Sequence, residues 1–356
     1  MTIALGFTGL ADVFSRRVSD VGVDVIRQAV DVSTEAYSRA FDQMISVLVE
    51  DVKPGVVTER YKLPVTGTMQ PLDEWGRPKP ALGETYYTQS WPLEMGGFAW
   101  GGNWVALAKM TVQEANDNMM QAIRADADWN IRRMLGALLY DTAWTFPAQE
   151  NFDALTVYPL ALSSETTTLF ANRQGSLVAG NGYGAQASAI DANNNPFPTI
   201  KTYLDKFVAN SGPVVSYIHN DQRASIEALS GFVEVHDGDI TPGSGSDVLS
   251  AQLAGHLGDE VCGKVNGVWI VEWSRIPTGY IVSHKHGTKV LARRQQDIPA
   301  LRGLIKREIT EGNLTTYEFY RHAGYAPRNR VAAHVQYIGG ASYTPPTGYT
   351  LLPLAI

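Results

Sequence analysis

The sequence holds a single cysteine, Cys262, so an intrachain disulfide is excluded, which suits a reducing compartment. Charge is scarce as well: 18% of residues are charged, against about 25% in typical soluble domains. Positive charge is scarcer still, with 29 Lys and Arg against 36 Asp and Glu and a net charge of −7. A protein that grips nucleic acid tightly carries a broad basic face to neutralise phosphates, and this composition argues against one. No stretch approaches the ~18 uninterrupted apolar residues of a membrane span. The opening Met-Thr-Ile-Ala-Leu-Gly-Phe lacks the charged start and long apolar run of an export signal. The expectation is a product that stays where it is made, so the triplet Asn313-Leu314-Thr315 carries no glycan. There is no internal repeat.

Apolar and aromatic residues are plentiful: 44% hydrophobic, with 8 Trp and 16 Tyr. Few charges and many aromatics suggest extensive protein–protein contact. The 356 residues exceed one ordinary core and imply two or more lobes. Cys262, in Val-Cys-Gly, reads as a small core residue.

Residues 1–55 read as an arm with helical turns. Val18, Val21, Val25 and Ala29 share a helical face, as do Ala40, Met44, Ile45 and Leu48. Gly22 weakens the first of these stripes. Residues 57–65 and 84–91 are rich in Thr, Tyr and Val and read as two strands. Between them Pro71, Pro78 and Pro80 preclude helix or central strand. The sum is a long two-stranded ribbon with a proline-rich tip. An isolated hairpin is marginal in water, so this one needs another surface. Residues 94–109 hold Gly96-Gly97 and Gly101-Gly102 among Phe98, Trp100 and Trp104. They read as a hinge whose aromatics require burial.

The clearest element follows. Thr111-Val112-Gln113-Glu114 fits a capping box, and no proline interrupts the chain from there to about Asp141. About thirty residues at ~1.5 Å each predict a helix of roughly 45 Å. Residues 142–200 read as irregular, including a Gly180–Gly184 loop without the lysine of a phosphate-binding loop. Further on, the patterns predict helices over 198–210 and from an Asp221 cap to Leu229. Strands are predicted at 214–219, 267–273, 279–282 and 330–339, with an open loop over 236–246.

The order of these parts resembles the Hong Kong 97-type major capsid proteins of tailed bacteriophages. The most suggestive passages are Lys109-Met110-Thr111-Val112-Gln113-Glu114, Gly267-Val268-Trp269-Ile270-Val271 with Arg275-Ile276-Pro277, and Gly324-Tyr325-Ala326-Pro327-Arg328-Asn329-Arg330-Val331-Ala332-Ala333. The resemblance covers nearly the whole chain. It implies an α+β fold with an N-terminal arm, an extended β-hairpin E-loop, a long spine helix, and peripheral and axial domains. On that pattern residues 1–55 are the arm, 56–108 the E-loop ribbon and hinge, and 109–158 the peripheral domain with the spine helix. Residues 159–290 are the axial domain, and 291–356 return to the peripheral domain and tail. The implied role is structural: pentamers and hexamers tile an icosahedral shell around phage double-stranded DNA. The shell belongs to the virion and is assembled in the host bacterial cytoplasm. Implied partners are other copies of the chain, a separate scaffolding protein, a portal protein and, as a candidate, a decoration protein. Packaged DNA is touched weakly and non-specifically. No cofactor, metal or membrane is implied. The chain begins without the long charged helical block that serves some relatives as internal scaffold, hence the separate scaffold. An encapsulin-like compartment shell shares the fold and is the alternative. A glycoside hydrolase is less favoured, because no carboxylate pair on barrel-strand ends is recognisable.

Candidate chemistry is thin. His284 and His286 flank Lys285, which would repel a cation, and a satisfied or exposed pair explains them. A polar loop explains His236, Asp237 and Asp239. Asp126 and Asp128 fall on different helix faces and form no dyad. No nucleophile motif is present. The run Lys285, Lys289, Arg293, Arg294, Arg302, Lys306 and Arg307 is the one dense basic stretch. It suggests a sequence-blind patch for DNA or a contact with acidic residues of a neighbouring subunit. The resemblance further raises a Lys79–Asn313 weld between subunits, which most relatives lack. Trp75, Arg77, Lys79, Arg293 and Arg294 are the candidate assembly contacts. Because Cys262 stands alone in an apolar setting, Cys262→Ser should leave assembly and metal content unchanged. Sedimentation and elemental analysis check this, and a modest loss of stability from a buried hydroxyl is expected.

Overall fold

The computed structural model describes residues 16–21, 23–62, 72, 74–77, 86–146, 155–163, 170–172, 177–207, 212–234 and 260–349. In chain order the first elements are α1 (Val18–Val21), α2 (Val23–Ile45), β1 (Val49–Asp51), β2 (Thr58–Lys62) and β3 (Tyr86–Ser90). Next come β4 (Glu94–Asn103), α3 (Trp104–Lys109), α4 (Val112–Leu139), β5 (Trp144–Phe146), β6 (Leu155–Val157), β7 (Phe170–Ala171), β8 (Leu177–Val178) and β9 (Tyr183–Gln186). They are followed by α5 (Phe197–Asp205), β10 (Val214–Ile218), α6 (Asn220–Glu227), β11 (Val233–Glu234), β12 (Glu260–Val265), β13 (Val268–Glu272), β14 (Tyr280–Lys285) and β15 (Leu291–Gln295). A short 3-10 turn at Pro299–Leu301 leads to β16 (Leu304–Glu311), β17 (Leu314–Pro327) and β18 (Ala333–Ile338). The chain divides into two compact units. Unit one comprises Met1–Gln43, Leu93–Ile131 and Gln295–Ala323; unit two comprises Met44–Pro92, Arg132–Arg294 and Gly324–Ile356.

Helix α4 starts on the capping box expected of it. The Thr111 hydroxyl accepts from the Glu114 amide at 3.2 Å, and Glu114 Oε2 accepts from the Thr111 amide at 2.8 Å. Its 28 residues at ~1.5 Å each span about 42 Å. In unit one its apolar face, Met119 and Ala122, packs on Leu304 and Phe319, with Phe98, Trp100 and Tyr317 around them.

Strand β4 replaces the expected hinge. It runs antiparallel to β17 over ten residues, from Glu94 opposite Ala323 to Asn103 opposite Leu314. Its burial alternates without a break, the mark of a strand with one packed face. Phe98 and Trp100 face inward. The glycines permit close approach, not bending: a Cβ on Gly96 would lie 2.8 Å from the Trp129 ring, and one on Gly101 2.6 Å from the Thr315 carbonyl oxygen. Trp104, expected inside, is 63% exposed. Strand β16 pairs with the other edge of β17, Leu304 opposite Arg321.

Asp126 of α4 is buried beneath this sheet. Arg321 of β17 donates to it from Nε at 2.8 Å and from Nη2 at 2.6 Å. The Tyr37 hydroxyl of α2 donates to Oδ2 at 2.8 Å, and the Arg321 guanidinium lies 5.8 Å from the Phe41 ring centroid.

Unit two is built on a seven-stranded sheet ordered β11-β12-β13-β10-β14-β18-β9. Strand β10 runs parallel to β13 and antiparallel to β14. Strands β10 and β14 are buried at every position, as expected where both faces are covered. One face receives Phe197, Ile200 and Leu204 of α5, packed on Val214, Ile218, Val268, Ile270 and Ile281. Cys262 belongs to this core at 6% exposure, and burial pushes its thiol up to about 11. The cap of α6 is His219, whose Nδ1 accepts from the Asp221 amide at 3.3 Å. The expected Asp221 cap therefore lies two residues too late, in the first helical turn. Residues after Gly182 form β9, parallel to β18, where a loop was expected. The loop expected at 236–246 lies outside the described residues. Beyond β18 the tail is pinned by tyrosines: Tyr280 donates to the Thr344 carbonyl at 2.5 Å and Tyr343 to the Leu139 carbonyl at 2.6 Å.

A paired buried charge is costly to orphan. Arg321→Ala should therefore lower stability by about 3–5 kcal/mol, read from denaturant midpoints. Asp126→Leu with Arg321→Met should recover most of that loss, because no charge is then left uncompensated.

Candidate assembly surface

The surface is built on a ribbon within unit two. Strands β2 and β3 pair antiparallel, Thr58 opposite Ser90 and Lys62 opposite Tyr86. The base is locked by Trp91, which is fully buried among Trp144, Val157, Ala292 and Ala326. Its amide donates to the Val57 carbonyl at 2.8 Å, and its own carbonyl accepts from Arg294 Nη1 at 3.3 Å. At the neighbouring Pro92 the backbone of Gly324 comes so close that a Cβ there would fall 2.1 Å from the Pro92 oxygen.

Of the tip, Leu72 and residues 74–77 are described. Gly76 takes a positive φ of 68°, the left-handed turn conformation that glycine adopts without strain. Leu72 is 61% and Trp75 82% exposed, and Arg77 is exposed beside them. Lys79 lies outside the described residues, so the Lys79–Asn313 weld has no geometry here.

Several cations of the basic run have partners within their own unit. Lys285 pairs with Asp205 and donates to the Gly212 carbonyl at 3.2 Å. Lys289 donates to the Ser46 carbonyl. Arg293 is 3% exposed and forks onto Asp51, Nε to Oδ1 at 2.7 Å and Nη2 to Oδ2 at 3.0 Å. In unit one, Arg302 donates to the carbonyls of Gln296 and Asp297, at 2.8 and 2.9 Å. Lys306 pairs with Asp31, and Arg307 stands opposite Glu318 across the strand pair. Several of these cations are thus held by carboxylates and carbonyl oxygens of their own subunit, while Arg302 and Arg307 are exposed. Arg293 and Arg294 are engaged within unit two, whereas Trp75 and Arg77 sit exposed on its ribbon.

The histidines are a matter of packing. His284 is fully buried and lies nearly parallel to Tyr217, ring centroids 5.7 Å apart. Its Nδ1 lies 3.0 Å from the Lys285 carbonyl oxygen. His334, 4% exposed, packs against Tyr203 at 5.0 Å. Among the described residues no group of three or more His, Cys, Asp or Glu is arranged to hold a metal. His236, Asp237 and Asp239 lie outside them.

No protein-family model and no curated protein matches the chain. Solved structures do. A structure from Mycobacterium phage Patience superposes with a TM-score of 0.66 at 18% identity, covering 97% of each chain. The capsid of the cyanophage P-SCSP1u superposes with a TM-score of 0.50 at 10% identity, over 82% of this chain and 86% of that one. The chain has the Hong Kong 97-type capsid fold.

Burial pulls His284 and His334 down to about 4 from the ordinary 6.5. Both are therefore neutral in the folded Hong Kong 97-type unit and take up protons on unfolding below pH 6.5. Stability should be full above about pH 6.5 and fall as pH drops towards 4. Each histidine accounts for about 3 kcal/mol by the acid end of that window. Calorimetric melting between pH 7 and 4.5 reads the slope, and His334→Gln should flatten it.

Proposed function

We propose that this chain is a major capsid protein, assembling into pentamers and hexamers that close an icosahedral shell around phage double-stranded DNA. The observation that carries the reading is Trp75, a large aromatic held 82% exposed on a ribbon whose base is locked into a core. Such a side chain gains most when a partner surface covers it, and buried aromatics anchor interfaces. The fold supports the same reading. On it, residues 56–108 are the E-loop region, 109–158 with 291–356 the peripheral domain, and 159–290 the axial domain. Arg77 and Lys79 contribute to the tip contact. The shell is a virion component put together in the host cytoplasm, with a separate scaffolding protein, a portal and a decoration protein as partners. No catalytic role is assigned.

Replacing residues 70–83 by a short Gly-Ser turn should leave the subunit folded and stop shells forming. Circular dichroism reads the fold and sedimentation the assembly. Trp75→Ala alone should weaken each contact by about 2 kcal/mol and raise the concentration needed for assembly. Normal shells from the shortened protein would sink the ribbon contact. Native particles that enclose enzymes and no DNA would sink the genome-shell reading while leaving shell assembly intact.

A further inference from the structure

In unit two the turn between β12 and β13 is open to chemistry. Val265 stands opposite Val268, so the loop is Asn266-Gly267, the pair that a type I′ hairpin turn favours. Asn266 has a φ of 49° and Gly267 one of 81°. Both are exposed, whereas Val265 and Val268 on either side are fully buried in the core of the unit. Asparagine is a thermolabile residue. It is most labile before glycine, whose missing Cβ lets the next backbone nitrogen reach the side-chain amide carbon.

Three observations single out this turn. Among the described residues the Gly267 amide donates no hydrogen bond. Asn266 Oδ1 accepts from Asn195 Nδ2 at 2.9 Å, a donor aimed at the oxygen where negative charge collects when the amide carbon is attacked. Lys201 of α5 lies against the turn: a Cβ on Gly267 would fall 3.3 Å from its Cε and 3.7 Å from its Nζ. A cation at that range favours the deprotonated form of a neighbouring nitrogen. The other Asn-Gly pair of the sequence, Asn181-Gly182, is built differently. Its glycine is buried. The Gly182 amide donates to the Gly180 carbonyl at 2.9 Å, and the Gly182 carbonyl accepts from the Val335 amide at 2.7 Å. That nitrogen is therefore engaged and cannot turn onto the Asn181 side chain.

We propose that Asn266 is a site of spontaneous modification, converting to aspartate and isoaspartate in the folded chain with the assistance of Asn195 and Lys201. Solvent hydroxide removes the Gly267 amide proton, and the nitrogen attacks Cγ of Asn266. The new N–C bond closes a five-membered imide as the Cγ–Nδ2 bond breaks and ammonia leaves, taking its proton from water. Water then opens the ring at one carbonyl or the other. The balance is one water consumed and one ammonia released, with nothing oxidised or reduced. Opening to isoaspartate lengthens the backbone inside a two-residue turn, which then no longer sets Val265 opposite Val268. Both products add a carboxylate beside Lys201. The inference goes beyond the shell reading and does not rest on it.

The test incubates the full chain in mildly alkaline buffer and maps its tryptic peptides by mass spectrometry at intervals, with circular dichroism confirming the fold throughout. Peptide 265–275 holds Asn266 as its one asparagine. Its aspartyl and isoaspartyl forms should accumulate at least about tenfold faster than any conversion at Asn181, a modest difference in barrier. Asn195→Asp keeps the acceptor that the Phe197 amide uses at 3.0 Å and removes the donor to Asn266. It should slow the conversion by about three- to tenfold, the worth of one hydrogen bond, and Lys201→Gln should slow it as well. An unchanged Asn266, conversion of Asn181 at the same rate, or a rate indifferent to either substitution would overturn the proposal. Should Asn195→Asp fail to fold, the comparison of Asn266 with Asn181 in the parent chain decides alone.

Discussion

The carboxylate of Asp126 draws together three stretches of unit one that lie far apart in sequence. It sits on α4, accepts two hydrogen bonds from Arg321 on β17 and one from Tyr37 on α2. A buried pair of this kind adds little net stability over an apolar packing of the same volume, because desolvation offsets most of the attraction. Its effect is positional. A guanidinium fork accepts one orientation of a carboxylate, so the pair fixes the rotation of α4 beneath the sheet and the register of β17 above it. The glycines of β4 then become intelligible. Once α4 is fixed, the Trp129 ring lies against the backbone of Gly96 and leaves no room for a Cβ.

In unit two the comparable constraint is apolar. Strands β10, β13 and β14 carry side chains buried on both faces, so polar groups there must find partners inside the sheet. The Ser216 and Ser283 hydroxyls do so with each other, at 2.6 Å. The imidazoles are accommodated by staying neutral. Beneath its sheet unit one thus holds a buried charge pair, and inside its sheet unit two holds buried imidazoles that stay neutral in the fold.

Much of this was legible in the sequence. The capping box and the proline-free run predicted α4 nearly to the residue, and Thr, Tyr and Val density predicted β2 and β3 flanking a proline-rich turn. Charge density along the chain suggested a patch for DNA or for a neighbouring subunit, but it could not show the internal partners: Arg293 and Asp51 are 242 residues apart, Lys289 and Ser46 243. Local reading cannot see such a partner. The hairpin of β16 and β17 went unread because its strands mix Lys, Arg and Glu with Ile and Tyr, so charge masked the alternation. The hinge was misread because glycine has two uses, bending and close approach, and only the facing residue distinguishes them. In the candidate site, the exposed tryptophan of the tip was legible as a surplus aromatic among prolines. The internal commitments of Arg293 and Arg294 were not.

The two tryptophans of the ribbon state the remaining argument. Trp91 at the base is fully buried and Trp75 at the tip is 82% exposed. A tryptophan presents up to about 250 Å² for burial, and at ~25 cal/mol per Å² that is about 6 kcal/mol of transfer free energy. At the base it is spent within the subunit and makes the ribbon rigid where it leaves the core. At the tip it is withheld. Rigidity at the base lowers the entropy lost when the tip docks, so the first tryptophan raises the yield of the second. In a closed assembly each subunit would offer one such tip and receive one. The gain per contact then needs to be only a few kcal/mol for the whole to be stable, because many contacts must break together before a subunit can leave.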